Sequence, residues 1–247
     1  MTNRGSNFYD HNDVFSQYTS LRERPENAND TLEKPVMMDL LGDVRGKAIL
    51  DLGCGGAQFG VDLLQEGCSF YHGIDGSKNM IDLAKQQIKH ESITLERVDL
   101  EEWNPPVAQY DLVVSRLVFH YLEDLHTIFD RIHTALKPGG TIIFSVEHPV
   151  ITSTLQPAGL RTSWVVDDYF SMGYRTQQWL GGSVEKYHRT LEEYFQLLQG
   201  SSFTVESLKE SSPRREFFLS DETFERRKRI PLFLFLKATK KDVASNC

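Results

Sequence analysis

Ile49–Gly60, Ile-Leu-Asp-Leu-Gly-Cys-Gly-Gly-Ala-Gln-Phe-Gly, decides how the rest of the chain is read. A short apolar run leads into an acid, Asp51, and then glycines take over. Strand, glycine turn and helix in that order bring backbone N–H groups close to a ligand.

Working outward, strands and helices alternate. Lys47–Leu52 reads as the first strand, followed by a helix over Phe59–Gln65. Ser69–Ile74 is the second strand and ends in Asp75. Ser77 then caps a helix whose Met80, Ile81, Leu83, Ala84 and Ile88 share a face. Thr94–Val98, ending at Asp99, and Tyr110–Ser115 continue the strands. The helix Asp124–Leu136 stops at Lys137-Pro138-Gly139-Gly140, and Thr141–Val146 is the fifth strand. Such a run predicts an α/β fold with a mostly parallel sheet covered on both faces. A helix over Arg189–Leu198 and strands at Phe203–Leu208 and Leu232–Lys237 close the chain.

Two regions fall outside this rhythm. Residues 1–42 read as a helical arm or flap, with Asp13–Arg24 and Thr31–Leu41 as helices and Tyr18 and Arg22 one turn apart. Residues 148–187 lack periodicity but carry Trp164, Tyr169, Phe170, Tyr174, Trp179 and Tyr187. They read as an aromatic cover inserted in a main domain spanning 43–247. The basic run Arg226–Arg229 reads as a solvated helix end.

A formal net charge of −8 repels phosphate backbones and anionic lipid, which sets nucleic acid and membranes aside as partners. Three cysteines, Cys54, Cys68 and Cys247, make neither a disulfide framework nor a zinc site and fit a reducing cytoplasm. No metal-ligand cluster is visible, and the oligomer expected is a monomer or homodimer.

The ligand follows from spacing and charge. A dinucleotide fingerprint, Gly-x-Gly-x-x-Gly, requires glycine where Gln58 stands. Asp51 inside the turn is hostile to a pyrophosphate and attractive to an ammonium group. Asp75 at the next strand end is placed for ribose hydroxyls, and Asp99 for an adenine amino group. Three strand-end acids describe a nucleoside with a cationic amino-acid tail, which is S-adenosylmethionine.

Leu-Asp-Leu-Gly-Cys-Gly, Gly-Ile-Asp-Gly-Ser with Met80, Val-Asp-Leu, Tyr-Asp-Leu-Val-Val-Ser and Leu-Lys-Pro-Gly-Gly, in that order over residues 45–147, resemble the motifs of class I S-adenosylmethionine-dependent methyltransferases. The resemblance implies a Rossmann-like, doubly wound seven-stranded sheet with its last strand antiparallel. It also implies that Asp51, Gly53, Cys54 and Gly55 line the methionine end, Asp75 and Gly76 the ribose, and Met80, Asp99 and Leu100 the adenine. Ser115 follows the fourth strand, and Tyr18 and Arg22 reach over from the arm. Ala57 departs from the third glycine of many members. Phe-Ser-Val-Glu-His-Pro (144–149) and Tyr-His-Arg-Thr-Leu (187–191) resemble an uncharacterised bacterial small-molecule branch.

Methyl transfer from a sulfonium is an in-line displacement whose main requirement is an aligned nucleophile. His120, His148 and His188, the last beside Tyr187, are expected to converge on the carboxyl edge of the sheet as catalytic residues. The expected acceptor is a small, planar or apolar molecule attacked at nitrogen or oxygen. Two other readings stay open, a nicotinamide-dependent oxidoreductase or epimerase and a non-catalytic S-adenosylmethionine-binding interaction protein.

Overall fold

A computed structural model describes residues 5–153 and 163–241. Residues 154–162 of the predicted cover, the first four residues of the predicted arm and Cys247 lie outside the described residues. The chain opens with two helices, α1 (Gly5–Tyr9) and α2 (Asn12–Arg22), and a π-helical turn, Asn29–Glu33, that runs straight into α3 (Lys34–Leu41). Then follow β1 (Ala48–Leu52), α4 (Gln58–Gln65), β2 (Phe70–Asp75), α5 (Lys78–Gln87) and β3 (Ile93–Arg97). The second half of the alternation is β4 (Tyr110–Arg116), a 3-10 turn at Phe119–Tyr121, α6 (Leu125–Ala135) and β5 (Leu136–Glu147). A short α7 (Pro149–Thr152) precedes a hairpin of β6 (Gly173–Trp179) and β7 (Gly182–His188). The chain closes with α8 (Leu191–Gly200), β8 (Phe203–Glu210), α9 (Asp221–Arg227) and β9 (Phe233–Lys240).

Seven strands form one sheet in the order β3-β2-β1-β4-β5-β9-β8. β1 to β5 pair in parallel, and β9 is antiparallel to both neighbours, β5 and β8. The order reverses beside β1, so β1 and β4 part at their carboxyl ends and leave a crevice there. Each face of the sheet has its own core. α6 and α8 bury Ile128, Phe129, Ile132, Tyr194 and Leu198 against one face. On the other, Met37 and Leu40 of α3, Leu63 of α4 and Ala84 of α5 meet Ile49 and Val114. α3 is therefore built into this core, and the part of residues 1–42 that stands apart as an arm is α1 and α2.

Three predicted elements differ. α6 ends at Ala135, and Lys137–Gly140 does not form a turn between helix and strand. Those residues lie within β5, where the register jumps from Tyr110↔Leu136 to Leu112↔Thr141 and Gly139 takes φ +68°. The glycines there serve an irregularity in a strand. Thr31–Leu41 is helical throughout but begins as the π-helical turn. Within the aromatic cover, β6 and β7 form an antiparallel hairpin turned by Leu180 and Gly181, both at positive φ, as a two-residue turn between twisted strands requires. Its alternation was invisible because its buried positions are mostly polar: Arg175, Val184, Lys186 and His188.

Candidate active site

The turn after β1 is pinned to β2 through its backbone. Gly53 N and Cys54 N both donate to the carbonyl of Ile74, at 2.8 and 3.0 Å. Gly53 has φ +78°, and a Cβ there would stand 2.3 Å from a Val118 methyl, so only glycine fits. Gly55 also has positive φ, and no atom lies within 4 Å of where its Cβ would be. Ala57 adopts a left-handed conformation, φ +55°, which costs an alanine about 1–2 kcal/mol relative to glycine. The departure from glycine thus keeps the geometry of the turn.

Two acids meet this turn. Asp75 accepts from Gly55 N on Oδ2 and from Ser77 N on Oδ1, both at 2.8 Å. Burial pushes its pKa up to about 6 against those two bonds. Asp51 lies beneath the turn and is 2% exposed. Tyr71 donates to its Oδ2 at 2.6 Å, while Oδ1 has no partner among the described residues. Burial raises this carboxyl also to about 6.

Gly53, Gly55 and Asp75 edge a cavity of about 730 Å³, within the range of small-molecule sites. Of the residues predicted to bind cofactor, Tyr18, Arg22, Gly53, Gly55 and Asp75 are on its wall, as are Gly76, Met80, Asp99 and Leu100. Asp51, Cys54 and Ser115 are not, and Asp51 lies behind the wall with its carboxyl buried. The Cys54 thiol packs under the turn, 3.6 Å from the Gly55 carbonyl, with its pKa raised by burial. Ser115 is fully buried and donates to Leu52 O at 2.8 Å, tying β4 to β1. Arg22 is held by Asn27 Oδ1 and Asp30 Oδ1, each at 2.8 Å.

The arm docks through the polar contacts of Asp10. Asp10 Oδ1 accepts from Ser77 Oγ at 2.6 Å and from Asn79 N at 3.1 Å, at the N-terminus of α5. Behind it, Glu33 is fully buried and pairs with Arg116 at the end of β4. Glu33 also accepts from Ser145 Oγ at 2.7 Å. The Arg116 guanidinium lies 4.1 Å from the Phe59 ring centre and lines the cavity. Burial acts against its charge, but the Glu33 carboxylate outweighs it and raises the pKa further.

Arm, hairpin and the turn after β4 meet in an aromatic wall. Tyr9 lies 5.1 Å from Tyr18, 6.3 Å from Tyr121 and 6.2 Å from Trp179, ring centre to ring centre. Lys186, 3% exposed, sits 5.2 Å from the Trp179 ring and bonds Glu147 Oε1 at 2.5 Å. Tyr9, Tyr121, Tyr174, Trp179 and Glu147 line the cavity and were not singled out from sequence as site residues. The signal for two of them was present, since Tyr174 and Trp179 belong to the aromatic cover.

The three histidines do not converge. His120 is on the cavity wall; its Nδ1 accepts from Glu147 N at 3.3 Å, and burial lowers its pKa to about 3. His148 lies outside the cavity wall. Its Nδ1 caps α7 by accepting from Val150 N at 3.1 Å, and its Nε2 lies 3.0 Å from Glu210. His188 is fully buried, with Nδ1 on the Thr152 hydroxyl at 2.7 Å and Nε2 on Tyr169 O at 2.8 Å. Tyr187 packs against Tyr174 and under the Arg189 guanidinium and is also off the wall. His148, His188 and Tyr187 therefore build the shell behind the site. The basic run is corrected in the opposite sense: Arg226 and Arg227 reach the cavity wall rather than solvent alone. Among the described residues no three His, Cys, Asp or Glu side chains form a metal-ligand group, and no helix is long and apolar enough to cross a membrane.

Comparison with known proteins agrees with this geometry. Residues 49–140 match the family model described as a methyltransferase domain. A crystal structure of an S-adenosylmethionine-dependent methyltransferase from Mesorhizobium loti superposes with a TM-score of 0.79 at 33% identity, covering 84% of this chain and 97% of that one. An uncharacterized protein of Haemophilus influenzae is 30% identical over 94% of this chain and 96% of its own length. A demethylmenaquinone methyltransferase of Lactococcus lactis is 26% identical over 74% and 77%. The chain belongs to the S-adenosylmethionine-dependent methyltransferases. Its cavity fits that cofactor: Asp75 is held at the wall by two backbone N–H groups with a lone-pair site left on each oxygen, and Gly55 leaves open the space a Cβ would fill.

Proposed function

We propose that the protein methylates nitrogen or oxygen of a small-molecule acceptor by in-line displacement. The observation that carries the reading is one continuous cavity with two unlike walls. One is the glycine turn with Asp75 and Met80, and the other is the aromatic group of Tyr9, Tyr121, Tyr174 and Trp179. S-adenosylmethionine, when bound, supplies an electrophilic methyl group. Gly53, Gly55, Asp75, Met80, Asp99 and Leu100 would hold it, with Tyr18 and Arg22 reaching from the arm. The aromatic wall would exclude water and orient a flat or apolar acceptor, which is the enzyme's main contribution to a displacement reaction. The Lactococcus relative, by its name a demethylmenaquinone methyltransferase, supports a small acceptor.

The test is incubation with methyl-tritiated S-adenosylmethionine and a bacterial extract fractionated by size. Label in the low-molecular-weight fraction is expected. Label confined to protein or nucleic acid would overturn the small-molecule assignment. The interaction-protein alternative predicts cofactor binding with no labelled product in any fraction.

A further inference from the structure

Glu147 ends β5 at the carboxyl edge of the sheet and lines the cavity. Its Oε1 is taken by Lys186, but Oε2 is buried with no partner among the described residues. A buried carboxylate oxygen left unpaired is rare enough to call for a partner that arrives with the ligand. Around it, Tyr9 and Tyr121 share a hydroxyl–hydroxyl bond of 3.1 Å. One hydroxyl proton is used there, and the other remains to be donated. The His120 ring accepts at Nδ1 from Glu147 N, which leaves the proton of the neutral ring on Nε2.

Resting on the methyltransferase reading, we propose that Glu147 Oε2, with the Tyr9–Tyr121 pair and His120, receives the reacting group of the methyl acceptor. We further propose that this group is a neutral hydroxyl. Charge selects the hydroxyl. The Glu147 carboxylate and the Lys186 ammonium cancel, and the ring faces of Trp179 and Tyr121 already attend the Lys186 cation at 5.2 and 6.0 Å. An ammonium acceptor would add a second cation to a buried site, and a carboxylate would face Glu147. A hydroxyl satisfies Oε2 as a donor and the free tyrosine proton as an acceptor.

The acceptor oxygen bonds the methyl carbon through one of its lone pairs as the carbon–sulfur bond breaks, leaving that bond's electron pair on sulfur. The oxygen's proton passes to Glu147 Oε2, turning the carboxylate into the acid while the sulfonium becomes a neutral thioether. Burial works to raise the Glu147 pKa, but the Lys186 ammonium outweighs it and holds the carboxyl low. That does not impede the step, because a methylated, still protonated hydroxyl oxygen is a far stronger acid than any carboxylic acid.

The test uses the full chain saturated with S-adenosylhomocysteine and reads binding by saturation-transfer NMR, with phenol, anisole and benzylamine as probes. Phenol should bind at least about tenfold more tightly than anisole, which lacks the donor, and than the benzylammonium cation. Glu147→Gln turns an amide N–H toward the ligand and should bring phenol and anisole within about twofold of each other, with the affinity for S-adenosylhomocysteine unchanged. The double variant Glu147→Leu/Lys186→Met removes both charges and the accepting oxygen together and should give the same result should the single variant fold poorly. Equal phenol and anisole binding in the wild type, a preference that survives both variants, tighter binding of benzylammonium, or no phenol binding at about 10 mM would each overturn the proposal. Titration with S-adenosylhomocysteine comes first: failure there overturns the methyltransferase reading itself, whereas failure with phenol overturns only the hydroxyl.

Discussion

The wall formed by Gly53, Gly55 and Asp75 is made of backbone and of one carboxylate held by backbone, whereas the wall formed by Tyr9, Tyr121, Trp179 and Glu147 is made of side chains. The first comes from two neighbouring strand ends and varies little in what it can bind. The second draws on α1, the turn after β4, the end of β5 and the hairpin, which are far apart in sequence. A family that keeps its cofactor and changes its acceptor has reason to be built this way: the invariant ligand meets main chain, and the variable one meets exchangeable side chains.

Substitutions can break this contrast, and the largest effect should come from the buried ion pair behind the cavity. Glu33→Ala leaves Arg116 buried without its partner and should cost about 3–5 kcal/mol of stability, read by urea denaturation. A loss under about 1 kcal/mol would mean the pair is not holding the start of α3 against β4. Next, Asp75→Ala should weaken S-adenosylhomocysteine binding by about 1–3 kcal/mol in calorimetry. Unchanged affinity would remove Asp75 from the site.

His188→Ala sharpens the comparison from behind the aromatic wall. It should lower stability by about 1–2 kcal/mol, since Thr152 and Tyr169 O lose a buried partner, and leave S-adenosylhomocysteine affinity unaltered. A normal melting curve with turnover lost would restore His188 to catalysis. The smallest effect concerns pH. Burial raises Asp51 and Asp75 to about 6, so the ligand-free fold holds protons there that the unfolded chain has released. Their contribution to stability is full below the ordinary carboxylate pKa and is lost as pH rises through about 6. Ligand binding runs the other way, because an ammonium group and ribose hydroxyls favour the ionised acids. S-adenosylhomocysteine affinity should therefore fall as pH drops below 6, by at most about tenfold per unit for each proton involved. Calorimetry at two pH values on either side of 6 checks it, and a flat affinity would detach both acids from the ligand. His120, lowered to about 3, should add no limb to the activity profile near its ordinary pKa.

The contrast also explains what could be read in advance. The glycine turn was legible because every step in it is local. The failure of the dinucleotide spacing at Gln58 and the acid at Asp51 are both visible within ten residues. The sheet was legible for the same reason, since its strands are apolar runs such as Leu112–Val114, bounded by turn residues. The hairpin was not, because Arg175, Lys186 and His188 occupy its buried face and mimic an exposed strand. Nor were the destinations of the histidines. Topology places His148 and His188 near the carboxyl edge, but hydrogen bonds to Val150 N, Thr152 and Tyr169 turn them into structural groups. Arg226 and Arg227 looked like an ordinary basic helix end, and nothing in their neighbours announced the cavity.

Asp75 carries one further consequence. Each of its oxygens is already engaged by a backbone N–H, from Gly55 and from Ser77, and each keeps a second lone-pair site. Its rotamer was chosen during folding, so the entropy of freezing that side chain, about 0.5–1.5 kcal/mol for a mobile one, is not lost again when the ligand arrives. Lengthening it by one methylene, Asp75→Glu, would keep the charge and forfeit that preorganisation. The extent to which the longer acid binds less tightly measures how much of the affinity resides in placement rather than in charge.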